Sequence, residues 1–468
     1  MTIAMAGPKD RHNRPLRALA MAVAFCGAAL LPSIAAPLHA RPTAAAPSYD
    51  GALRAEIGKR AGSDLRAFYA ARGYRPLWLQ ANRPSPAATL LLGQAQTAKL
   101  DGIKPGKAKA GPLARALEKA RSGKPEDLAK AEIAASKSYV AYVKALRSAR
   151  RAPMLYESQA LSPVVPTTTA ALQAAAAAGS LETHVRTMAW MHPLYAPLRA
   201  ALADPAYPEA QRRQIALNLQ RVRAIPANPA RRYVLVDAAS ARLWMYENGR
   251  PVDTMRVVVG KPEEPTQTPA MAGFIRYAIV NPYWNVPPDL VSTRIAWNVL
   301  QKGPGYLREG GYQVLADWSE RPAVIDPTTI DWRAVEAGAV KPRLRQLPGG
   351  SNFMGSVKFM FPNPQGIYLH DTPDRDLLRK DARQLSSGCV RLENAQRLGR
   401  WLMNRPLPRR PQAPEQRLEL PELVPVYITY LTAMPENDRI AFRSDVYARD
   451  ARGDTRLARN DRATANRP

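Results

Sequence analysis

The chain has 468 residues, and 67 Lys+Arg against 39 Asp+Glu give it a formal net charge of +28 with only two cysteines. A surface so cationic seeks anions, but no nucleic-acid-reading motif accompanies the charge, so nucleic acid is excluded as the partner. Anionic cell wall, membrane headgroups or simple solubility remain.

At the N-terminus, Lys9, Arg11, Arg14 and Arg17 precede the apolar run from Leu19 to Leu31, and small residues follow it. That order is the layout of a secretory signal peptide, too short and Ala-rich for a comfortable membrane span, and predicts cleavage near Ala40. A retained N-terminal anchor is the less favoured alternative, and bulky Phe25 before Cys26 argues against a lipid anchor there. Removing residues 1–40 takes away four cations and one acid, which leaves +25 and a single thiol, Cys389. One thiol cannot form an internal disulfide, and an oxidising compartment endangers it. It therefore invites a functional reading, against the blander one of a small buried hydrophobe.

From about residue 50 to 225 the pattern is helical. PEDLAKAEIAASKSYVAYVKALRSARR places acids early and bases late, as a helix dipole favours. TTTAALQAAAAAGS opens on cap residues and stops at Gly179. At Arg231 the period changes. RRYVLVD and RLWMYENGRPVDTMRVVVG are β-branched and aromatic, with Asn248-Gly249 predicting a hairpin turn. Further strands are expected in GFIRYAIVNPYWNVP, GSVKFMFPN, GIYLH and PVYITYLTA. Residues 299–345 read as a long Gly/Pro-punctuated insertion, a candidate lid. Residues 448–468 read as a disordered basic tail.

Three histidines follow the leader: His184, His192 and His370. Only His370 ends a strand-like run and precedes a turn, DTPD, and it stands before Cys389 in QLSSGCVRLENA. A thiol needs a base or an electropositive setting to act as a nucleophile near neutral pH, and imidazole is the usual partner. Gly388 permits close backbone approach, and the amides of Ser387, Gly388 and Cys389 are placed to meet a developing oxyanion. Arg391 either faces a carboxylate, braces the loop, or pairs with Glu393 or Asp371. His184 and His192 have too few ligands around them for zinc, and no cofactor is implied.

IYLHDTP followed by SSGCVRLENA resembles the active-site pair of the YkuD-type L,D-transpeptidase catalytic domain: a histidine, then a Ser/Thr-x-Gly-Cys-x-Arg loop. RRYVLVD, VVVGKPEEPTQTP, NPYWNVPPDL, LRQLPGGSNFMGSVKFMFPN and VPVYITYLTA extend the likeness to the YcbB-like, periplasmic branch over about residues 210–447. More loosely, FYAARGYRPLW and HPLYAPLRAAL resemble that branch's helical scaffold. The resemblance implies an α+β chain: signal peptide 1–40, helical scaffold region 41–225, and a mostly β catalytic domain 226–447. The chain departs from the pattern in two places. Ser387 stands where many relatives have a second histidine, and no room is left for a peptidoglycan-binding module.

What the resemblance implies chemically is a periplasmic acyltransferase. Cys389 would attack the bond between the diamino acid and D-Ala of a peptidoglycan tetrapeptide stem, with His370 as base. The Asp371 carbonyl would orient the imidazole, and the amides of Gly388 and Cys389 would hold the oxyanion. A second stem's side-chain amine would receive the acyl group, giving a third-to-third cross-link; an outer-membrane protein is a further possible acceptor, and carbapenems are expected to acylate the thiol. Ser386 and Ser387 either donate to substrate or shape the loop, and Tyr283 and Trp284 either line the groove or belong to the core. A thiol hydrolase or carboxypeptidase is the enzymatic alternative. A non-catalytic, basic wall-binding protein is the third reading, and the His370–Cys389–Arg391 set counts against it.

Overall fold

The computed structural model describes residues 49–149, 151–317, 319, 321–408 and 413–453. The expected signal peptide, residues 1–40, and the tail beyond Gly453 lie outside the described residues.

Helices build the first part. α1 (Tyr49–Arg60) and α2 (Ala110–Lys119) pack on α3 (Pro125–Ser148). Pro125 opens α3, where its missing N–H is no loss, Glu126 and Asp127 lie in the first turn, and Arg147 lies in the last. The inner face buries Leu128, Tyr139, Tyr142 and Leu146 together with Glu132. That carboxylate is tolerated because the Tyr69 hydroxyl and the Leu77 and Trp78 amides donate to it. α4 (Thr168–Ala176) starts where the Thr167 hydroxyl accepts the Ala170 amide, and α5 (Glu209–Val222) ends the helical run.

β-branched runs then take over. The main sheet uses β1 (Leu155–Tyr156), β2 (Arg232–Asp237), β3 (Arg242–Glu247), β4 (Arg250–Gly260) and β5 (Met271–Val280). A second group, β6 (Trp284–Val286), β7 (Tyr312–Leu315), β8 (Val324–Ile325) and β9 (Arg343–Gln346), forms a separate sheet in the order β8-β7-β9-β6. The main sheet resumes with β10 (Val357–Met360), β11 (Leu369–His370), β12 (Gln384–Ser386), β13 (Val390–Leu392) and β14 (Gln416–Thr429). Its order is β10-β11-β13-β4-β3-β2-β14-β5-β1, with β12 beside β4, and β10 also pairs with β5. The sheet thus closes on itself around Val257, Ile275, Phe359, Leu369, Val390 and Val426. α7 (Ala395–Met403), with Leu398 and Leu402 inward, packs on that core; α6 (Trp297–Lys302) belongs to the inserted part. The β3–β4 turn has positive φ at both Asn248 (50°) and Gly249 (75°), as its Asn-Gly sequence predicts.

The two parts are continuous in space. Leu155 and Tyr156 leave the helical region to pair in parallel with Met271 and Ala272 of β5, and one core joins Tyr139 and Tyr195 to Tyr233, Leu235 and Tyr427. The helical part followed by a mostly β domain is the architecture expected.

Two expectations need correction. Residues 299–345 are not a loop: the insertion starts at Trp284 and has its own core of Trp284, Ile295, Val299, Tyr312, Trp332, Leu344 and Met354. The tail is not wholly unstructured from Ala448. Arg449 to Gly453 are helical, with the Arg449 guanidinium 5.1 Å from the Tyr430 ring and 4.7 Å from that of Tyr447, while Asp450 pairs with Arg221 at 2.6 Å. Arginine on aromatic faces and a shielded ion pair supply what the segment lacks in apolar residues. Among the described residues no helix is long and apolar enough to cross a membrane.

Candidate active site

β11 is only two residues long, yet it positions the site because it lies between β10 and β13. Its parallel register sets Leu369 opposite Val390 and His370 opposite Arg391. Side chains alternate, so Leu369 and Val390 enter the barrel core and His370 and Arg391 share the other face. Cys389 directly precedes β13, two residues before Arg391, and the charge of Arg391 acts on both its thiol and the His370 imidazole. The Val390 amide donates to Tyr368 O at 3.0 Å and locks this register at the cysteine.

His370 is 2% exposed, and its Nδ1 lies 2.6 Å from the Asp371 carbonyl oxygen. A carbonyl only accepts, so Nδ1 carries the hydrogen and Nε2 keeps its lone pair. The Asp371 carboxylate faces elsewhere. It accepts from the Ser356 amide (2.9 Å) and hydroxyl (2.7 Å) and from Arg375 (2.6 Å). Gly355, at φ +61°, lets it approach, since a Cβ there would stand 2.6 Å from the Asp371 side chain. Asp371 is therefore an orienting and bracing residue, not a member of an oxyanion pocket.

The cysteine loop is bolted from inside. Ser386, 2% exposed, donates from Oγ to Cys389 O at 2.6 Å and accepts the Gly388 amide at 3.1 Å. Ser386 thus shapes the loop and does not face a substrate, and the Gly388 amide is already engaged. Of the two roles expected for Ser386 its bonds match loop shaping, and only the expectation of a free Gly388 amide is corrected. Among the described residues the amides of Ser387 and Cys389 have no hydrogen-bond acceptor. Ser387 itself is exposed. Gly388 holds φ +118°, which only glycine adopts readily, and its carbonyl accepts the Thr268 hydroxyl at 2.7 Å. The same hydroxyl accepts the Gly260 amide at 2.8 Å and ties the loop to the end of β4.

Burial pushes the half-buried Cys389 thiol up from its ordinary range, opposed by a Tyr368 backbone hydrogen bond and the charge of Arg391. Burial first, and Arg391 second, push the His370 imidazole down to about 3. The pair rests as neutral thiol and neutral imidazole, with Cys389 Sγ 3.6 Å from the Gly366 carbonyl as its hydrogen-bond acceptor.

Arg391 pairs with neither Glu393 nor Asp371. Arg256 holds Glu393 at 2.6 Å and Arg375 holds Asp371. Its guanidinium lies 6.0 Å from the centroid of Phe353, on the side of the inserted subdomain. Trp284 is core, 8% exposed and 5.0 Å from Phe353 between ring centroids, so its expected substrate contact is replaced by support of that ring. Tyr283 is half-buried beneath Arg345 at 4.4 Å, with its amide on Glu415 and its carbonyl on Lys358. His184 bonds Tyr139 and His192 bonds Tyr233, both away from this face.

Sequence reasoning missed Thr268, Tyr368 and Phe353. All three lie in runs that carry the resemblance, VVVGKPEEPTQTP, IYLHDTP and LRQLPGGSNFMGSVKFMFPN, but what each touches is set by pairings remote in sequence.

The family described as the L,D-transpeptidase catalytic domain, YkuD, matches residues 231–426. Residues 231–426 are a YkuD L,D-transpeptidase catalytic domain. Residues 63–202 match the scaffold domain family. A Haemophilus influenzae protein provisionally named an L,D-transpeptidase is 32% identical over 244 residues, covering 51% of this chain and 48% of that protein. The chain spans about half the length of this curated relative. Two solved structures are also similar. The Ldtfm–avibactam carbamoyl enzyme has a TM-score of 0.21 at 13% identity, over 44% of this chain and 51% of the other. A Bdellovibrio bacteriovorus structure has a TM-score of 0.19 at 16% identity, over 50% and 56%. The transpeptidase domain includes His370, Cys389 and the inserted subdomain.

Proposed function

We propose that the chain is an exported peptidoglycan L,D-transpeptidase of the YcbB-like kind, with Cys389 as nucleophile and His370 as base. The observation that carries this reading is the Nδ1 bond of His370 to Asp371 O, which leaves Nε2 as a proton acceptor on a residue in register with Arg391, two positions after Cys389. The thiol proton passes to Nε2 as sulfur attacks the carbonyl between the third, diamino-acid residue and the terminal D-Ala. The amides of Cys389 and Ser387 serve the oxyanion, in place of the engaged Gly388 amide. His370 returns the proton to the departing D-Ala amine, leaving a thioester on Cys389. A side-chain amine of a second stem then attacks the thioester, restoring the thiol and forming the third-to-third link.

Water as acceptor would give a carboxypeptidase by the same steps, and a protein amine would attach a protein to the wall. Incubation with disaccharide-tetrapeptides, read by mass, separates these outcomes. Cross-linked dimers that have lost one D-Ala are expected; tripeptides alone would mean hydrolysis. A carbapenem should add one mass on the Cys389 peptide, more slowly in His370→Ala and not at all in Cys389→Ala. Turnover by Cys389→Ala would refute the assignment. Export is tested by N-terminal sequencing of periplasmic protein, which should begin close to Arg41.

A further inference from the structure

We propose that Arg294, on the inserted subdomain, is a specificity-determining residue that works with Arg391 to hold a carboxylate of the donor stem; this rests on the transferase reading above. The Arg294 guanidinium carbon lies 4.6 Å from the Phe353 ring centroid, and that of Arg391 lies 6.0 Å from the same centroid. Two cations from separate parts of the fold therefore converge on one aromatic ring. Phe353 is a fixed platform, since its ring packs against Trp284 in the subdomain core.

Like charges so placed repel, and the proton affinity of Arg391 is lowered by burial and further by Arg294. Among the described residues no carboxylate comes within ion-pair distance of either. Glu393 is held by Arg256 and Asp371 by Arg375, and Asp374 stabilises the charge of Arg391 only from a distance. By contrast, Arg199, Arg221, Arg232 and Arg256 each have an acid within 4.0 Å. An anion between Arg294 and Arg391 would relieve the repulsion, and a planar carboxylate matches the guanidinium fork. Arg391 stands in register with His370, and its charge acts on the Cys389 thiol two residues before it, which puts this anion site close to the nucleophile.

A tetrapeptide stem offers that chemistry from two sources: the carboxylate of the terminal D-Ala, and a carboxylate on the side chain of the third residue. The clamp selects donor stems by one of them. Arg294 is exposed, so the expected loss sits at the low end for a charge-assisted hydrogen bond, about tenfold.

The test compares three synthetic stems: both carboxylates free, the third-residue side-chain carboxylate amidated, or the terminal carboxylate amidated. Turnover is measured for the otherwise wild-type protein, Arg294→Gln and Arg294→Lys, and stem affinity for the same set in a Cys389→Ala background. Arg294→Gln should weaken the free stem about tenfold, mainly in KM and Kd. It should leave unchanged the amidated stem that lacks the clamped carboxylate, which identifies the source. Arg294→Lys should recover part of the loss. Equal losses on all three stems, or no loss on any, would overturn the clamp. Absence of turnover by wild type would refute the transferase instead, because the affinity measurements still decide the clamp.

Discussion

Replacing Thr268 by valine keeps the shape of the side chain and removes one hydroxyl. Thr268 is 0% exposed, and that hydroxyl donates to Gly388 O at 2.7 Å and accepts the Gly260 amide at 2.8 Å. The substitution therefore strands two buried backbone groups, at about 1–3 kcal/mol each. A total loss of about 2–6 kcal/mol is expected, read as a lower midpoint in urea unfolding with the slope unchanged. The greater effect should fall on activity. Gly388 is held at φ +118° with its carbonyl on Thr268, and it directly precedes Cys389. Once released, it lets the sulfur and the Cys389 amide drift, and a displacement of about 1 Å at a reacting group can cost on the order of a hundredfold in rate. Stem turnover by Thr268→Val should fall tenfold or more by this reasoning, whereas Thr268→Ser, which keeps the hydroxyl, should stay near wild type. Wild-type stability and turnover in Thr268→Val would show that the tie between β4 and the cysteine loop does not hold the site.

His370 and His192 are both buried and both pushed down to about 3 by that burial, so each stays neutral in the fold and takes a proton when unfolded. Below pH ~6.5 the unfolded chain binds more protons, and each histidine should lower stability by about 1.4 kcal/mol per pH unit. Denaturation midpoints at pH 7, 6 and 5 should fall accordingly, less steeply in His192→Gln; an identical slope in that variant would show that His192 is protonated in the fold. Because burial raises the Cys389 thiol, its alkylation by iodoacetamide should be slow at pH 7 and rise with an inflection above that of an exposed thiol. An inflection at or below pH 7 would instead reveal a resting thiolate–imidazolium pair. Gly388→Ala puts a Cβ 3.3 Å from Ile367 Cδ1 at a φ that disfavours side chains, and should destabilise by about 1–3 kcal/mol with loss of stem turnover. A fully active, equally stable Gly388→Ala would mean the loop relaxes freely.

Local chemistry was legible along the chain itself. Pro125, the early acids and the late Arg147 mark α3 because capping and dipole effects act within one turn. Asn248-Gly249 marks its hairpin because both positions need positive φ. The change from helical to β-branched periodicity lies between Val222, where α5 ends, and Arg232, where β2 starts. His370 and Cys389 stand out by residue type and setting alone. What tertiary structure decided depends on partners far away in sequence. Residues 299–345 of the inserted subdomain read as a punctuated loop because the strands there are two to four residues long, too short to show a period, and gain their core only by pairing with one another. The state of each loop amide was equally hidden: Ser386 is two residues from Gly388, but only the folded turn aims its hydroxyl at that amide and leaves those of Ser387 and Cys389 without an acceptor among the described residues. Arg294 and Arg391, 97 positions apart in the chain, meet at Phe353 because the fold sets that ring of the inserted subdomain near β13, which carries Arg391. Such convergence is set by packing between elements, and neither residue's neighbours in the chain carry any sign of it.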